Sequence, residues 1–136
     1  GYALEHHLDE IFRETGLHYA RQAVTENNAK PDFLFPGSAE YHDAAFPDDR
    51  LFMLGVKTSC KDRWRQVLSE AKRIKQKHLF TLEPAISANQ TSEMDAQHVC
   101  LVLPAGLHST YTEKQQGRLA DLQEFIGLVK RHQKLE

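Results

Sequence analysis

An aspartate and a lysine lie at the ends of two successive apolar runs in this sequence. Asp32 follows Pro31 in the stretch KPDFLFPG, directly ahead of one apolar run, and Lys57 ends the next run. Neighbouring strands that carry these residues could bring a carboxylate and an ammonium group together at one edge of a sheet. Metal-dependent phosphodiesterases are often built in this way, with a carboxylate that binds Mg²⁺ and a lysine beside it.

A second acid is needed to complete such a site, and the sequence offers two places for it. Asp32 is a good first ligand, and Lys57 could orient or deprotonate the attacking water, or neutralise charge on the scissile phosphate. Alternate residues of a strand face the same side, so the second acid is expected two residues before the lysine, where Gly55 stands. Glu70, thirteen residues after Lys57, could supply it from the following helix, or could be an ordinary solvated helix residue.

The periodicity of apolar residues predicts the elements that would position these groups. Helices are predicted over residues 3–14, 61–75, 87–96 and 119–131, and strands over 19–24, 32–35, 51–58, 78–82 and 99–103. The helix over 61–75 carries one apolar stripe, formed by Trp64, Val67, Leu68, Ala71 and Ile74. This order predicts an α/β fold in which helices cover both faces of a mixed sheet.

Length and composition exclude several classes of protein. The 136 residues form one domain by size, over 1–136, and 40% hydrophobic with 26% charged residues are ordinary globular values. No apolar run approaches the ~18 residues of a spanning helix and no signal peptide is visible, so no membrane association and a cytoplasmic location are expected. A net charge of −2 argues against a protein that coats nucleic acid through bulk positive charge, while a local basic face remains open.

Two further observations concern the ends and the metal-binding residue types. The chain opens directly on a helical pattern, which suggests a fragment of a longer protein. Cys60 and Cys100 lack the spacing of a zinc site, and none of the eight histidines belongs to a zinc-protease pattern. Reduced thiols are therefore expected, and the carboxylates remain the better metal ligands.

Four stretches of the sequence resemble a known family of nucleases. KPDFLFP, GVKTSCKDRWRQVLSEAKRIK, KHLFTLEPAIS and VCLVLP are similar to the C-terminal catalytic domain of EcoRII-type restriction endonucleases, a branch of the PD-(D/E)xK superfamily. The resemblance implies a restriction-endonuclease-like core, a central mixed sheet with helices on both faces. In this branch the second acid has moved to the helix, which implies a catalytic set of Asp32, Lys57 and Glu70. Asp32 and Glu70 would then hold Mg²⁺, and Gly55 would mark the position that the acid left.

The resemblance also implies a base-reading segment. In the family, the three residues that open the helix after the catalytic lysine read C and G bases in the major groove, and here they are Lys61, Asp62 and Arg63. The chemistry agrees, because Lys and Arg donate to guanine and Asp accepts from the cytosine amino group. Helix capping and surface charge are the alternative, although two cations suit the positive end of a helix dipole poorly.

Weaker expectations concern residues around the catalytic set. Glu5 matches an upstream acid that some of these nucleases bring near the metal, and Tyr41 matches a tyrosine near the family's active site, although both residue types are common on surfaces. Lys72, Arg73 and Lys75 are expected to contact the phosphate backbone, which positions DNA without reading it, or to form a solvated face.

The predicted function is a Mg²⁺-dependent, site-specific DNA endonuclease. It would hydrolyse double-stranded DNA at a short palindrome of the CCWGG or CCNGG type, leaving 5′-phosphate and 3′-hydroxyl ends. A palindrome cut in both strands calls for two-fold symmetry, so a homodimer is expected for the full-length protein. A catalytically silent DNA-binding or regulatory module and a repair nuclease of the same fold are the alternatives. The sequence does not determine the central base of the recognition site, or whether an effector DNA-binding domain precedes residue 1.

Overall fold

The computed structural model describes residues 2–134, without the side chain of Asp62. The α-helices are α1 (Tyr2–Glu14), α2 (Ser38–Tyr41), α3 (Ala88–Ala96), α4 (Glu113–Gln116) and α5 (Leu122–Gln133). The strands are β1 (Ala20–Arg21), β2 (Phe33–Phe35), β3 (Phe52–Val56), β4 (Lys77–Phe80) and β5 (Val99–Val102). Short 3₁₀ helices cover Glu26–Asn28, Asp48–Arg50, Lys61–Ser69 and Ala105–Thr110. No helix in this part of the chain is both long and apolar enough to cross a membrane.

The five strands form one mixed sheet in the order β1-β2-β3-β4-β5. β1, β2 and β3 pair antiparallel, whereas β3, β4 and β5 run parallel. The last residues of the parallel strands lie side by side, with Val56 opposite Phe80 and Phe80 opposite Val102. The residue that follows β3, Lys57, therefore emerges at the carboxyl edge of the parallel strands.

Helices cover both faces of this sheet, as the sequence predicts. On one face, Phe12 of α1 and Phe125 of α5 pack with Phe33 of β2 in a buried cluster. On the other face, Trp64 and Met94 belong to a second buried cluster. Alternate strand residues supply the two clusters, because successive side chains of a strand point to opposite faces.

The largest difference from the predicted elements concerns the helix expected over 61–75. It ends at Ser69 and has 3₁₀ rather than α geometry. Glu70 is extended, with φ −95° and ψ 144°, and Ala71 adopts a left-handed φ of 51°. The predicted apolar stripe is nonetheless buried at Trp64, Val67, Ala71 and Ile74, and Leu68 is partly buried against the same cluster. The helix stops here because the amides of residues 71–73 donate hydrogen bonds to the side chains of Thr25, Glu26 and Tyr41.

Two other boundaries moved for local reasons. The strand predicted over 19–24 is limited to β1, because Gln22 takes a left-handed φ of 52°. The last helix starts at Leu122 rather than at residue 119, because the Asp121 side chain caps it with Glu124 in a capping box. Ala120 instead hydrogen-bonds alongside β5, with its amide 3.0 Å from the Leu101 carbonyl.

The other predicted elements are present at nearly the expected bounds. Ser87 caps α3 by accepting a hydrogen bond from the amide of Gln90, as its residue type suggests. The segment 37–50, between the predicted strands 32–35 and 51–58, contains α2 and the Asp48–Arg50 turn of 3₁₀ helix. The helices at Ala105–Thr110 and α4 were not predicted.

Candidate active site

Asp32 is fixed at the start of β2 by hydrogen bonds on both carboxylate oxygens. Its Oδ2 accepts from the amide of Val56 at 2.7 Å, and its Oδ1 accepts from Nε2 of Gln22 at 3.1 Å. Burial raises the pKa of Asp32 above its usual value, and the charge of Glu5 adds to this, against the Val56 hydrogen bond and the charge of Lys57. The carboxylate is therefore held at the end of β3, directly beside the backbone of Lys57.

Lys57 extends β3 by one hydrogen bond beyond the strand. Its amide donates to the carbonyl of Phe80 at 3.0 Å, which fixes its backbone at the carboxyl edge of the parallel strands. The half-buried side chain exerts an electrostatic effect on both Asp32 and Glu70. One ammonium group thus serves two carboxylates.

Glu70 follows the Lys61–Ser69 helix and completes the cluster. Its Oε1 is buried and has no hydrogen-bond partner among the described residues. Burial raises the pKa of Glu70 to about 7, the negative charge of Asp32 adds to the effect, and Lys57 and Lys77 oppose it. These interactions differ from those of a solvated helix residue, and they bring Asp32, Lys57 and Glu70 into one electrostatically coupled group.

The chemistry of this group suits a hard divalent cation. Mg²⁺ prefers oxygen ligands and commonly takes one or two carboxylates, with water and substrate phosphate completing its coordination. Asp32 and Glu70 provide two carboxylates, and the unpartnered Oε1 of Glu70 is a buried acceptor that a cation would satisfy. Within residues 2–134 no group of three or more His, Cys, Asp or Glu side chains is placed to hold a metal. Asp32 and Glu70 are the two carboxylates that could hold such a cation.

Gly55 cannot carry the second acid in this fold. A Cβ atom at Gly55 would lie 2.7 Å from Cγ1 of Val67 and 3.3 Å from Cδ1 of Leu79. The first distance is shorter than a carbon–carbon contact allows, so the side chain of Val67 occupies the space that an acid would need.

Gln22 links Glu5 to the site and was missed by the sequence interpretation. Its Nε2 lies 2.9 Å from Oε1 of Glu5 and 3.1 Å from Oδ1 of Asp32, so one amide group bridges the two acids. Arg21 also donates to Oε1 of Glu5, at 3.3 Å. Glu5 is thus one side chain away from Asp32. Nothing in the sequence singled out Gln22, whose position depends on a left-handed backbone.

Tyr41 is buried beside the 70–74 segment rather than against the acids. Its hydroxyl donates to Oε1 of Glu26 at 2.6 Å and accepts from the amide of Arg73 at 3.1 Å. Burial raises the pKa of Tyr41 to about 12. The described residues show no hydrogen bond between Tyr41 and the three members of the cluster, so its contacts favour a structural role.

Arg73 is committed to hydrogen bonds within the protein. Its Nε donates to Oδ1 of Asp48 at 2.7 Å, and its Nη1 donates to the carbonyl of Asp43 at 3.0 Å. Further bonds reach the carbonyls of Tyr41 and Phe46. The guanidinium therefore ties the 41–48 loop to the 70–74 segment. By contrast, the side chains of Lys72 and Lys75 are exposed.

The segment expected to read bases begins at the surface. Lys61 and Arg63 are exposed, and the side chain of Asp62 lies outside the described part of the structure. Glu83, which the sequence did not single out, anchors the preceding turn by accepting hydrogen bonds from the Cys60 amide at 2.5 Å and the Ser59 hydroxyl at 3.3 Å. The start of the Lys61–Ser69 helix is thus held four residues beyond Lys57.

This architecture is the fold of the restriction endonucleases. Over 98% of this chain and 45% of the other, the structure superimposes on metal-depleted Ecl18kI in complex with uncleaved, modified DNA, with a TM-score of 0.84 at 18% sequence identity. A second structure, of metal-depleted Ecl18kI with uncleaved DNA, gives a TM-score of 0.82 over the same shares and at the same identity. The predicted fold class is confirmed.

Sequence comparison identifies the family. Residues 1–126 match the family described as EcoRII C terminal. The chain is 53% identical over 128 residues to the type II restriction enzyme EcoRII of Escherichia coli, a match that covers 93% of this chain and 32% of that enzyme. The protein belongs to the EcoRII C-terminal family, as the resemblance implied, and it spans about a third of the length of this relative.

Proposed function

We propose that this chain is the catalytic domain of a type II restriction endonuclease that hydrolyses DNA phosphodiesters with Mg²⁺. The observation that carries the proposal is the buried, unpartnered Oε1 of Glu70, electrostatically coupled to Asp32 and Lys57. A buried carboxylate oxygen without a partner destabilises the metal-free fold, so its presence needs a functional reason. Membership of the EcoRII C-terminal family supplies that reason.

Each member of the cluster has a distinct part in the proposed reaction. Asp32 and Glu70 bind the metal through their carboxylate oxygens. When bound, Mg²⁺ acts as a Lewis acid towards the phosphate and lowers the pKa of a coordinated water. Lys57 orients or deprotonates the attacking water, or neutralises the charge that develops on the phosphate. The products carry 5′-phosphate and 3′-hydroxyl ends. Glu5 acts one step removed, through Gln22 on Asp32.

Recognition is assigned to the exposed start of the Lys61–Ser69 helix. Lys61, Asp62 and Arg63 read the C and G edges of a CCWGG or CCNGG palindrome, and Lys72 and Lys75 contact phosphates. For Arg73, whose guanidinium donates hydrogen bonds within the protein, we propose a role in stabilising the 41–48 loop instead of the phosphate contact expected from the sequence. The full-length protein acts in the cytoplasm as a homodimer on double-stranded DNA. In that complex, the two-fold axis of the dimer coincides with the two-fold axis of the palindrome.

Plasmid digestion with mapped ends tests the proposal. Three plasmids that carry a CCWGG site, a CCSGG site or neither are incubated with the protein and Mg²⁺, and the ends are sequenced. Cleavage at the first site alone indicates CCWGG, and cleavage at both indicates CCNGG. A silent binding module would bind the site in Ca²⁺ without cutting in Mg²⁺, and a repair nuclease would cut mismatched DNA in preference to intact sites. Either result would contradict the proposal.

A further inference from the structure

Lys77 carries a buried charge whose hydrogen bonds all go to one turn of the backbone. It begins β4 and is only 6% exposed. Its Nζ donates to the carbonyl oxygens of Glu70 at 2.6 Å, Ala71 at 2.8 Å and Ile74 at 2.6 Å. An ammonium group has three N–H donors, so these bonds use all of them. A buried cation is tolerated only when it is satisfied in this way.

The amides of the same turn are held from other parts of the chain. The amide of Ala71 donates to Oγ1 of Thr25 at 3.1 Å, and that of Lys72 donates to Oε1 of Glu26 at 3.2 Å. The amide of Arg73 donates to the Tyr41 hydroxyl at 3.1 Å, as described above. Side chains therefore replace the hydrogen bonds that a continuing helix would have made within the 70–74 turn.

This arrangement fixes the backbone from which the Glu70 carboxylate projects. The left-handed φ of 51° at Ala71 is unfavourable for a residue with a Cβ and persists only when its surroundings enforce it. The Lys77 ammonium group donates to the carbonyl of this strained residue, Ala71, and to the carbonyls of Glu70 before it and Ile74 after it. If the segment relaxed into a helix, Glu70 would move to a different position relative to Asp32.

We propose that Lys77 is a positioning residue, which holds the 70–74 turn so that the Glu70 carboxylate faces the metal site shared with Asp32. This inference rests on the proposed function. It assigns to a lysine outside the catalytic set a role in metal binding that acts through the backbone of a ligand. A purely structural lysine would affect the stability of the fold and leave the metal affinity of the folded protein unchanged.

The test compares Lys77→Met with the wild type in a direct metal-binding measurement. Methionine keeps an unbranched side chain of similar length and removes all three donors. Mn²⁺ binding is followed by the loss of the electron paramagnetic resonance signal of free Mn²⁺, at a temperature where circular dichroism shows both proteins folded. We expect Lys77→Met to bind Mn²⁺ at least tenfold more weakly. Lys114→Met, which alters an exposed lysine of α4, is the matched control and should bind like the wild type.

A second pair of variants decides the question if Lys77→Met does not fold. Thr25→Val removes the hydroxyl that accepts from the Ala71 amide with little change in shape, and Thr25→Ser keeps the hydroxyl. We expect Mn²⁺ affinity to fall severalfold in Thr25→Val and to stay near the wild-type value in Thr25→Ser. Equal affinities for a folded Lys77→Met and the wild type would overturn the inference, as would equal affinities for the two Thr25 variants where Lys77→Met does not fold.

Asp32→Asn separates this inference from the proposed function. If the wild type does not bind Mn²⁺, or if Asp32→Asn binds it equally well, the metal site itself is wrong and both proposals fail. If binding depends on Asp32 but not on Lys77 or the Thr25 hydroxyl, the proposed function stands and only the positioning role fails.

Discussion

Asp32 accepts a 2.7 Å hydrogen bond on Oδ2 from the backbone amide of Val56. Val56 is the last residue of β3 and directly precedes Lys57, so this bond ties the carboxylate to the strand that presents the ammonium group. β3 lies inside the sheet between β2 and β4. The relative position of Asp32 and Lys57 is therefore set by the rigid centre of the fold, whereas Glu70 depends on a turn held by side chains.

Replacing Glu70 by glutamine should separate activity from stability. The amide cannot serve as an anionic ligand, so Mg²⁺-dependent cleavage should fall by at least about 100-fold. The melting temperature should stay the same or rise, because Oε1 of Glu70 is buried without a hydrogen-bond partner in residues 2–134, and glutamine removes the negative charge there. Plasmid cleavage and calorimetry at one pH provide the two measurements, with Glu10→Gln on the exposed side of α1 as the control. Cleavage near the wild-type rate would disprove the assignment of the second acid.

Lys57→Ala should reduce the cleavage rate by several orders of magnitude and largely preserve DNA binding. The half-buried Lys57 side chain interacts electrostatically with Asp32 and Glu70. Its loss should therefore reduce the cleavage rate more than the affinity for DNA. Single-turnover cleavage in Mg²⁺ and binding in Ca²⁺ measure the two quantities. If only binding changed, Lys57 would be a phosphate contact instead.

Arg63→Ala should discriminate between base reading and general attraction to DNA. A guanidinium that meets guanine O6 and N7 together contributes about 1–3 kcal/mol of specificity. We expect a loss of this size on the cognate duplex and little change on a scrambled duplex. Competition binding in Ca²⁺, where cleavage is suppressed, provides the measurement. Equal losses on both duplexes would show that the start of the Lys61–Ser69 helix does not read sequence.

Lys75→Ala is the matched comparison, since Lys75 is also exposed and cationic. A phosphate contact should weaken binding to cognate and scrambled DNA alike and reduce the salt dependence by about one counterion. Measurements at two or more salt concentrations give that slope. An unchanged slope would leave Lys75 as part of a solvated face.

Arg73→Ala should act on stability before it acts on DNA. The guanidinium donates to Asp48 and to the carbonyls of several residues between Tyr41 and Phe46, and its side chain is only 20% exposed. Removing it takes away several hydrogen bonds between the 41–48 loop and the 70–74 segment at once, at a cost of about 1–3 kcal/mol. Urea unfolding measures this loss, and Lys72→Ala at an exposed neighbouring position is the control. If stability were unchanged and DNA binding were weaker, Arg73 would instead be a contact to the DNA phosphate backbone, like Lys72 and Lys75.

His78 should make the fold sensitive to acid. Its Nδ1 is buried without a partner in the described structure, its ring lies 5.1 Å from that of Phe125, and burial lowers its pKa to about 4 from the usual 6.5. Between pH 6.5 and 4 the unfolded chain takes up a proton that the folded protein does not. Stability supplied by the neutral ring is therefore complete above pH 6.5 and declines as the pH falls, by up to about 3 kcal/mol.

Urea unfolding of the wild type and His78→Leu across this range tests the effect. The difference in unfolding free energy between the two proteins should change in favour of the variant as the pH falls from 6.5 to 4. His7→Gln, on the exposed surface of α1, should show no such change relative to the wild type. A pH-independent difference for His78→Leu would mean that the ring has the same pKa in the folded and unfolded protein, and would contradict the prediction.

The sequence predicted the sheet and its two helical layers because those depend on periodic apolar residues. The stripe from Trp64 to Ile74 is buried as its spacing indicates, except that Leu68 is partly exposed, although the helix ends at Ser69. The spacing of apolar residues indicates which side chains are buried, but it does not indicate whether the backbone between them makes helical hydrogen bonds. What ends the helix is the hydroxyl of Thr25 and the ammonium of Lys77, which reach the 70–74 turn from other strands and loops.

Residue type was a weaker guide around the site than position in the sheet. The positions of Asp32 and Lys57 beside the carboxyl end of β3 were predictable because Asp32 directly precedes one apolar run and Lys57 ends the next. The positive charge of Arg73 suggested a DNA contact, and the family resemblance suggested Tyr41 as an active-site neighbour. In the structure, the side chain of each hydrogen-bonds to a backbone atom of the other. Such hydrogen bonds join segments about thirty residues apart in the sequence, so local sequence patterns do not predict them.

The contact between Gly55 and Val67 has a consequence for how this site can change over time. An acid restored at position 55 would collide with a valine in the core, and a smaller residue at position 67 alone would leave a cavity. Each single substitution towards an acid on the strand is therefore expected to destabilise the fold, whereas the two together could be tolerated. If Glu70 is the second acid, as we propose, moving that acid to position 55 would require two coordinated substitutions.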